Sequence, residues 1–370
     1  MIKILIKKNQ YLVLFFIFVV FLLFWILKQG FLLPFYWDTE WFLIAAAGSI
    51  AETSNLFSYL GFSDYPHTFL LPLAIALILQ MPGNHLLLIH ILGLLLSIFF
   101  LIVMYLLGNK LVNKKVGMAL VLLFLTNPLF LAQTHLVYFE IIGTALRFLA
   151  VIFLLEKKYL RFTIIGLIAI LTRIDNSLFL SASAIAYLFL EKEITNKLNW
   201  IIRYVFPFLL TTVLWLVIHL QITGWWIYSP ERYFDEQPWQ SLWDAIVYIT
   251  VRQGRYIISE SIFVMLLTSK KLIQQIKKIS IPGLILGITS LPSLLMITKL
   301  GYFLPRYIFP VLPVFYLLFL VLLQKLIKKP ILFWAIIILI GIIQYQYRYD
   351  CYAGNSEDCL LVIDLLVNEK

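Results

Sequence analysis

Long apolar runs recur along the chain, and short clusters of Lys and Arg separate them. A helix needs about 20 apolar residues to cross a bilayer. Inside hydrocarbon every backbone N–H and C=O must be satisfied within the chain, which leaves helices as the outcome for runs of this length. Charged residues make up 13% of the chain and hydrophobic ones 62%, whereas soluble domains carry roughly 25% charge. The mean hydropathy is +0.95. These features predict an all-α polytopic membrane protein of about eleven transmembrane helices, with outer juxtamembrane helices in its first extracytoplasmic loop. The net charge of +10 does not suggest nucleic acid, because the basic residues sit between spans, where topology requires them.

Lys3, Lys7 and Lys8 precede a first run from Tyr11 to Leu27, and no small-residue cleavage site follows it. An uncleaved span with a cytoplasmic N-terminus is expected. The stretch Phe69–Met81 is too short to cross comfortably. As a helix lying on the outer surface, it lets Leu86–Leu107 run inward and puts Lys110, Lys114 and Lys115 inside. Further spans are expected near Val116–Leu131, Val137–Leu155, Phe162–Leu171, Ser177–Leu190, Ile201–Gln221, Tyr256–Thr268, Ile281–Thr298, Phe303–Gln324 and Ile331–Tyr345. The two around Arg173 are short enough to be half-helices. Residues 1–347 then form the membrane domain, with loop 28–85 outside, and residues 348–370 form a short extracytoplasmic tail. Cys351 and Cys359 lie in that tail, where a disulfide and two free thiols are both open readings.

This map gathers the unusual residues on one face. Loop 28–85 opens with Trp37-Asp38-Thr39-Glu40-Trp41, two carboxylates flanked by rings. Asp38 suits the N-cap of a juxtamembrane helix, and the pair equally suits a general base or a sugar-orienting site. Glu140 lies near the outer end of an otherwise apolar span, where an acid costs about 2.5–3.5 kcal/mol and tends to face protein or a watery cavity. Arg147, two helical turns on, falls on the same face as a candidate partner. Thr172-Arg173-Ile174-Asp175-Asn176 joins two short helices. Its arginine either pairs internally with Asp175 or is held out for an anion. Arg306 sits among Pro305, Pro310 and Pro313 at the start of a span, where opened backbone groups need neighbours or water. It reads as part of a built site or as a snorkelling side chain. The aromatic loop Thr223–Arg255 reads as an interfacial belt or a sugar-stacking surface. His67, His85, His90, His135 and His219 show no metal-ligand spacing, and no nucleotide-binding loop or nucleophile elbow occurs.

Taken in order, Asp38-x-Glu40 after the first span, Tyr65-Pro66-His67, Asn127-Pro128-Leu129, Glu140, Thr172-Arg173 and Arg306-Tyr307-x-x-Pro310-x-x-Pro313 resemble the GT-C superfamily of integral-membrane glycosyltransferases. The branch with protein O-mannosyltransferases and aminoarabinose transferases is the most similar. The Arg-Tyr-x-x-Pro-x-x-Pro run is the most specific element. This chain has Pro66-His67 where Pro-Pro is common, Glu140 where Asp is usual, and Thr172-Arg173 where Thr-Lys is frequent.

The resemblance implies an inverting transfer of a sugar from a polyprenyl-phosphate donor to an acceptor hydroxyl at the extracytoplasmic face of a bacterial or archaeal plasma membrane. It implies Asp38, Glu40 and Glu140 as the catalytic acids. Arg306, Arg173, Tyr307 and His67 would bind the donor phosphate. A lipid, a glycan and a protein are all open as acceptor. No metal ligand is assigned, and a divalent cation remains open. Two rival readings use the same charges: a polysaccharide polymerase or ligase fed by lipid-linked sugars, and a transporter or lipid flippase. The absence of an internal repeat, and charges that cluster outside instead of at midplane, weigh against the transporter.

Overall fold

A computed structural model describes residues 10–28, 30–32, 34–35, 39–61, 68–226 and 309–346, which contain helices and no strand. The first span is α1 (Gln10–Leu27). The first loop then makes a wide π-type turn (Thr39–Ile44), a short helix α2 (Ala45–Thr53), a 3₁₀ turn (Ser58–Gly61) and α3 (Leu70–Leu79). There follow α4 (His85–Leu111), α5 (Lys114–Leu125), α6 (Pro128–Leu136), α7 (Phe139–Leu155), α8 (Tyr159–Ile170), α9 (Asn176–Leu190), α10 (Lys197–Tyr204) and α11 (Phe206–Thr223). After residues outside the described set come α12 (Leu312–Leu326) and α13 (Pro330–Gln346).

The protein is an all-α polytopic membrane protein. Among the described residues Gln10–Leu27, His85–Leu111, Lys197–Thr223 and Phe309–Leu326 are each long and apolar enough to cross a bilayer. On α1, Ile17, Phe18, Phe21 and Trp25 are each more than half exposed, a surface that suits lipid and not water. Helix α3 has ten residues, about 15 Å of rise, well short of the roughly 30 Å hydrocarbon core.

Two apolar cores organise the chain. The larger joins α1 and α4 to α13. Gly108 and Gly117 let α4 and α5 meet closely, since a Cβ on Gly108 would fall 2.7 Å from the Gly117 Cα. Small residues at such contacts allow the dispersion packing that holds helices together where no hydrophobic driving force exists. The smaller core is the first loop itself. Leu43, Ala46, Ile50, Tyr59, Leu71 and Ile75 pack on one another and on Ile89, Val137 and Phe139, at the N-terminal ends of α4 and α7. The juxtamembrane helices are therefore a packed layer seated on the bundle's end. At the C-terminal ends of the same two helices, Lys110 pairs with Glu156 at 3.3 Å, and Lys157 and Lys158 pair with Glu193, Glu191 and Glu156. Helices α4 and α7 thus run parallel, as the alternation of spans requires.

One expected span is bent. Val116–Leu131 is not a single helix; α5 and α6 meet at a 66° bend. Pro128 disfavours helical geometry at the residue before it, and Asn127 is extended, at φ −74° and ψ 121°. The Asn127 side chain caps the new helix by accepting from the Phe130 N–H at 3.0 Å, with Pro128 at the first helical position, where its missing N–H costs nothing.

Candidate active site

The first loop is stapled to the bundle at two points, and each lies beside a charged residue singled out in the sequence. Buried Thr39 donates its hydroxyl to the Leu136 carbonyl at 2.7 Å, at the end of α6 and four residues before Glu140. The carbonyls of a helix's last turn have no partner inside the helix, so a hydroxyl from another segment fits there. Further along the loop, buried Thr68 donates to the Ile170 carbonyl at 3.2 Å, and the Leu70 N–H donates to the Leu171 carbonyl at 3.1 Å. Those carbonyls end α8, immediately before Thr172-Arg173. A third contact ties the loop to α11, where the Trp215 indole N–H donates to the Tyr59 hydroxyl at 3.4 Å. Burial pushes the Tyr59 phenol up to about 12, so it stays a neutral hydroxyl.

Glu140 and Arg173 meet directly. Arg173 Nη1 donates to Glu140 Oε1 at 2.6 Å. Asp175 grips the same guanidinium from the other side, accepting from Nε at 2.9 Å and from Nη2 at 3.3 Å. Asp175 Oδ2 also lies 3.5 Å from Arg147 Nη2. Among the described residues, two carboxylates and two guanidiniums therefore meet in one nearly dry cluster, with side-chain exposures of 5% for Glu140, 12% for Arg173, 17% for Asp175 and 1% for Arg147. Gly143, one turn after Glu140, makes room for it. A Cβ there would come within 3.1 Å of Arg173 Cδ and 3.3 Å of Asn176 Nδ2.

Of the alternatives open in the sequence, Glu140 pairs across to Arg173 on the α8–α9 turn, and its helix-mate Arg147 takes Asp175. Glu140 and Arg147 do share a face of α7, but the α8–α9 turn comes between their charges. Glu40 is exposed, on the π-type turn anchored through Thr39. Asp38, His67, Arg306 and Tyr307 lie outside the described residues, as do Cys351 and Cys359. Their nearest described neighbours are placed. Thr39 and Thr68 carry the two staples. Phe309 is buried among Phe100, Phe124 and Phe130, with ring centroids 5.3 to 6.4 Å away. On the first turn and a half of α12, Tyr316 accepts from Asn127 Nδ2 at 2.7 Å and from Gln344 Nε2 at 2.6 Å. The helix that follows the Arg306 run is thus pinned to the α5–α6 bend.

Spacing alone passed over three features. His90 is buried with Phe35 stacked on it at 4.5 Å and Phe31 at 6.0 Å. His135 is buried against Gly30, where any Cβ would fall 2.0 Å from the ring. Neither histidine has a metal-ligand interval, so the only sequence signal was their position at outer span ends. Val137, between His135 and Glu140, has φ 53° and ψ 43°, a left-handed conformation that strains a β-branched residue. Gly93 on α4 leaves room for the Val137 side chain, since a Cβ there would stand 2.8 Å from Val137 Cγ2. Among the described residues no group of three or more His, Cys, Asp or Glu gathers to hold a metal ion.

No protein-family model and no curated protein matches the chain. Solved structures do. Crystal structures of ArnT from Cupriavidus metallidurans superpose on it in the apo state (TM-score 0.64, 15% identity, 94% of this chain) and bound to undecaprenyl phosphate (TM-score 0.62, 14% identity, 90% of this chain). The fold is ArnT-like. At 14–15% identity this likeness carries the fold alone. The chain spans 63–66% of the length of those ArnT chains.

Proposed function

We propose that the protein is a membrane glycosyltransferase that moves a sugar from a polyprenyl-phosphate donor to an acceptor hydroxyl at the extracytoplasmic face. The observation that carries this reading is the pair of staples. Thr39 fixes the chain next to Asp38 against the turn that leads to Glu140, and Thr68 fixes the chain next to His67 against the turn that leads to Arg173. Four elements far apart in sequence thus meet at one end of the bundle, and two of them already share an ion pair. The ArnT structure bound to undecaprenyl phosphate supports a lipid-linked donor for a chain of this fold.

In this reading the Asp38 carboxylate takes the proton of the acceptor hydroxyl. The oxygen attacks the anomeric carbon from the face opposite the phosphate, and the sugar–phosphate C–O bond breaks with its electron pair going to the polyprenyl phosphate. The configuration inverts. Glu40, exposed on the same turn, orients the acceptor. Glu140 acts through Arg173, fixing a guanidinium whose field opposes the negative charge that develops on the leaving phosphate. Arg306, Tyr307 and His67 supply the direct phosphate contacts. Such preorganised charge is commonly the largest single contribution to catalysis. Glu140 and Asp175 are matched to arginines and not to a cation, so no metal ligand set is assigned to them.

The test is transfer by the purified protein in proteoliposomes supplied with a panel of radiolabelled polyprenyl-phosphate sugars. Labelled product with at least one donor, reduced about 10²–10⁴-fold by Asp38→Asn, is the expected result. Donor flipping without transfer would replace this reading with a flippase, and processive chain growth would replace it with a polymerase.

A further inference from the structure

We propose that α10 and the cations around it form a surface for anionic phospholipid headgroups, at the end of the bundle opposite the first-loop layer. Helix α10 has eight residues. Asn196 caps it, accepting from the Asn199 N–H at 2.9 Å. One face is fixed to the bundle. Buried Trp200 donates its indole N–H to the Ala184 carbonyl at 3.1 Å, and its ring lies 4.9 Å from Tyr159, 5.5 Å from Tyr187 and 4.6 Å from Tyr204. At about 3.6 residues per turn, Leu198 and Ile202 fall opposite Trp200 and Tyr204, with Ile201 beside them. Leu198, Ile202 and Ile201 are 69%, 53% and 41% exposed. The helix thus has an inner face that protein covers and an outer apolar face that protein leaves open.

Length places that outer face at the membrane boundary. Helix α11 has 18 residues, about 27 Å of rise, which nearly fills the roughly 30 Å hydrocarbon core. Pro207 has no N–H to offer the Arg203 carbonyl, and Val205, at φ −115° and ψ −50°, separates the two helices. Helix α10 therefore lies at headgroup level, where an amphipathic helix sets its apolar face among acyl chains and its cations against anionic lipid. Charge selects the occupant. At this end of the bundle Glu156, Glu191 and Glu193 pair with Lys110, Lys157 and Lys158. Arg161, Lys192, Lys197 and Arg203 are exposed, and none of them pairs with a carboxylate among the described residues. Lys192 lies in the turn before α10, Arg161 is two residues from Tyr159, and Lys197 and Arg203 stand on opposite sides of the outer apolar face. Lys197 occupies the first turn of α10, where the helix dipole disfavours a cation, so it is not there for the helix's stability. Leu160 and Phe189, both 72% exposed, extend the apolar surface beside these charges. Cations bordering open apolar side chains match a phosphate headgroup carried on acyl chains.

The experiment reads the lipid next to α10 in the full chain. Cys351 and Cys359 are replaced by serine, and a bimane fluorophore is attached at Asn199→Cys, an exposed position of α10. The labelled protein is placed in nanodiscs that mix phosphatidylglycerol with phosphatidylcholine, one of the two carrying brominated chains that quench the label. Quenching against composition gives the preference of this surface for one lipid over the other. A basic residue at an anionic surface is worth about fivefold in affinity. With Lys197 and Arg203 flanking the site, phosphatidylglycerol is expected to be favoured about 25-fold. Lys197→Gln with Arg203→Gln should bring the preference to within about threefold of unity, whereas Lys197→Arg with Arg203→Lys, which keeps both charges, should retain it. Arg203→Gln alone should lose about fivefold, and it carries the test if the double variant does not fold. Equal quenching by the two lipids in the labelled parent overturns the proposal. So does an unchanged preference in either folded glutamine variant. Quenching by neither lipid overturns it as well, because the face would then be covered by protein or water.

Discussion

Thr39→Val isolates the staple that holds the acid motif. Valine has nearly the shape of threonine, so the 0%-exposed site stays filled and only the hydroxyl is lost. The 2.7 Å bond to the Leu136 carbonyl is worth about 1 kcal/mol by the usual net scale. Side-chain bonds between membrane helices average about 0.6 kcal/mol. Global stability should therefore fall only slightly, and the fold, held by the Leu43–Ala46–Ile75 packing around it, should survive. The rate should fall much further. Residue 38 is covalently next to the staple, and a displacement of about 1 Å at a reacting group can cost about a hundredfold. The expectation is a 10- to 100-fold lower kcat, because the bond lies beside the proposed base. Thr39→Ser keeps the hydroxyl and should recover most of the rate. Radiolabelled transfer in proteoliposomes, alongside thermal unfolding of the same preparations, separates the two effects. Wild-type turnover by a stable Thr39→Val protein would refute the argument that this staple places the base.

Gly93→Ala should destabilise the turn before Glu140 by about 1–3 kcal/mol, because its Cβ would stand 2.9 Å from the Thr134 carbonyl and 2.8 Å from Val137 Cγ2; an unchanged unfolding temperature would count against it. Glu140→Ala leaves a buried guanidinium with one carboxylate fewer and should cost about 3 kcal/mol, while Glu140→Gln keeps an acceptor for Arg173 Nη1 and should cost less, so equal melting of the two in nanodiscs would contradict the pairing. Arg306→Ala should raise the donor KM strongly, with Arg306→Lys rescuing only part, since lysine lacks the planar fork; steady-state kinetics over donor concentration decides it.

Much of the fold was legible because membrane helices announce themselves by length. The run Tyr11–Leu27 and the helix Gln10–Leu27 differ by one residue at their start. The shortness of Phe69–Met81 foretold an α3 that cannot cross. The bend at Asn127 was less legible, although its residues were in view. Hydropathy averages over a window and reads Val116–Leu131 as one apolar run, whereas the break depends on a single X-Pro step and one capping side chain. A Pro preceded by Asn is a stronger signal for a new helix start than for a continued span, and it is the position to weigh against the hydropathy.

The site was legible in its parts and not in its pairings. Sequence distance along one helix made Arg147 a natural partner for Glu140, and both do occupy one face of α7. The pairing that forms depends on where another element's charges enter. The α8–α9 turn delivers Arg173 and Asp175 two residues apart, so their side chains reach α7 from the same turn, and each finds the opposite charge at its own depth.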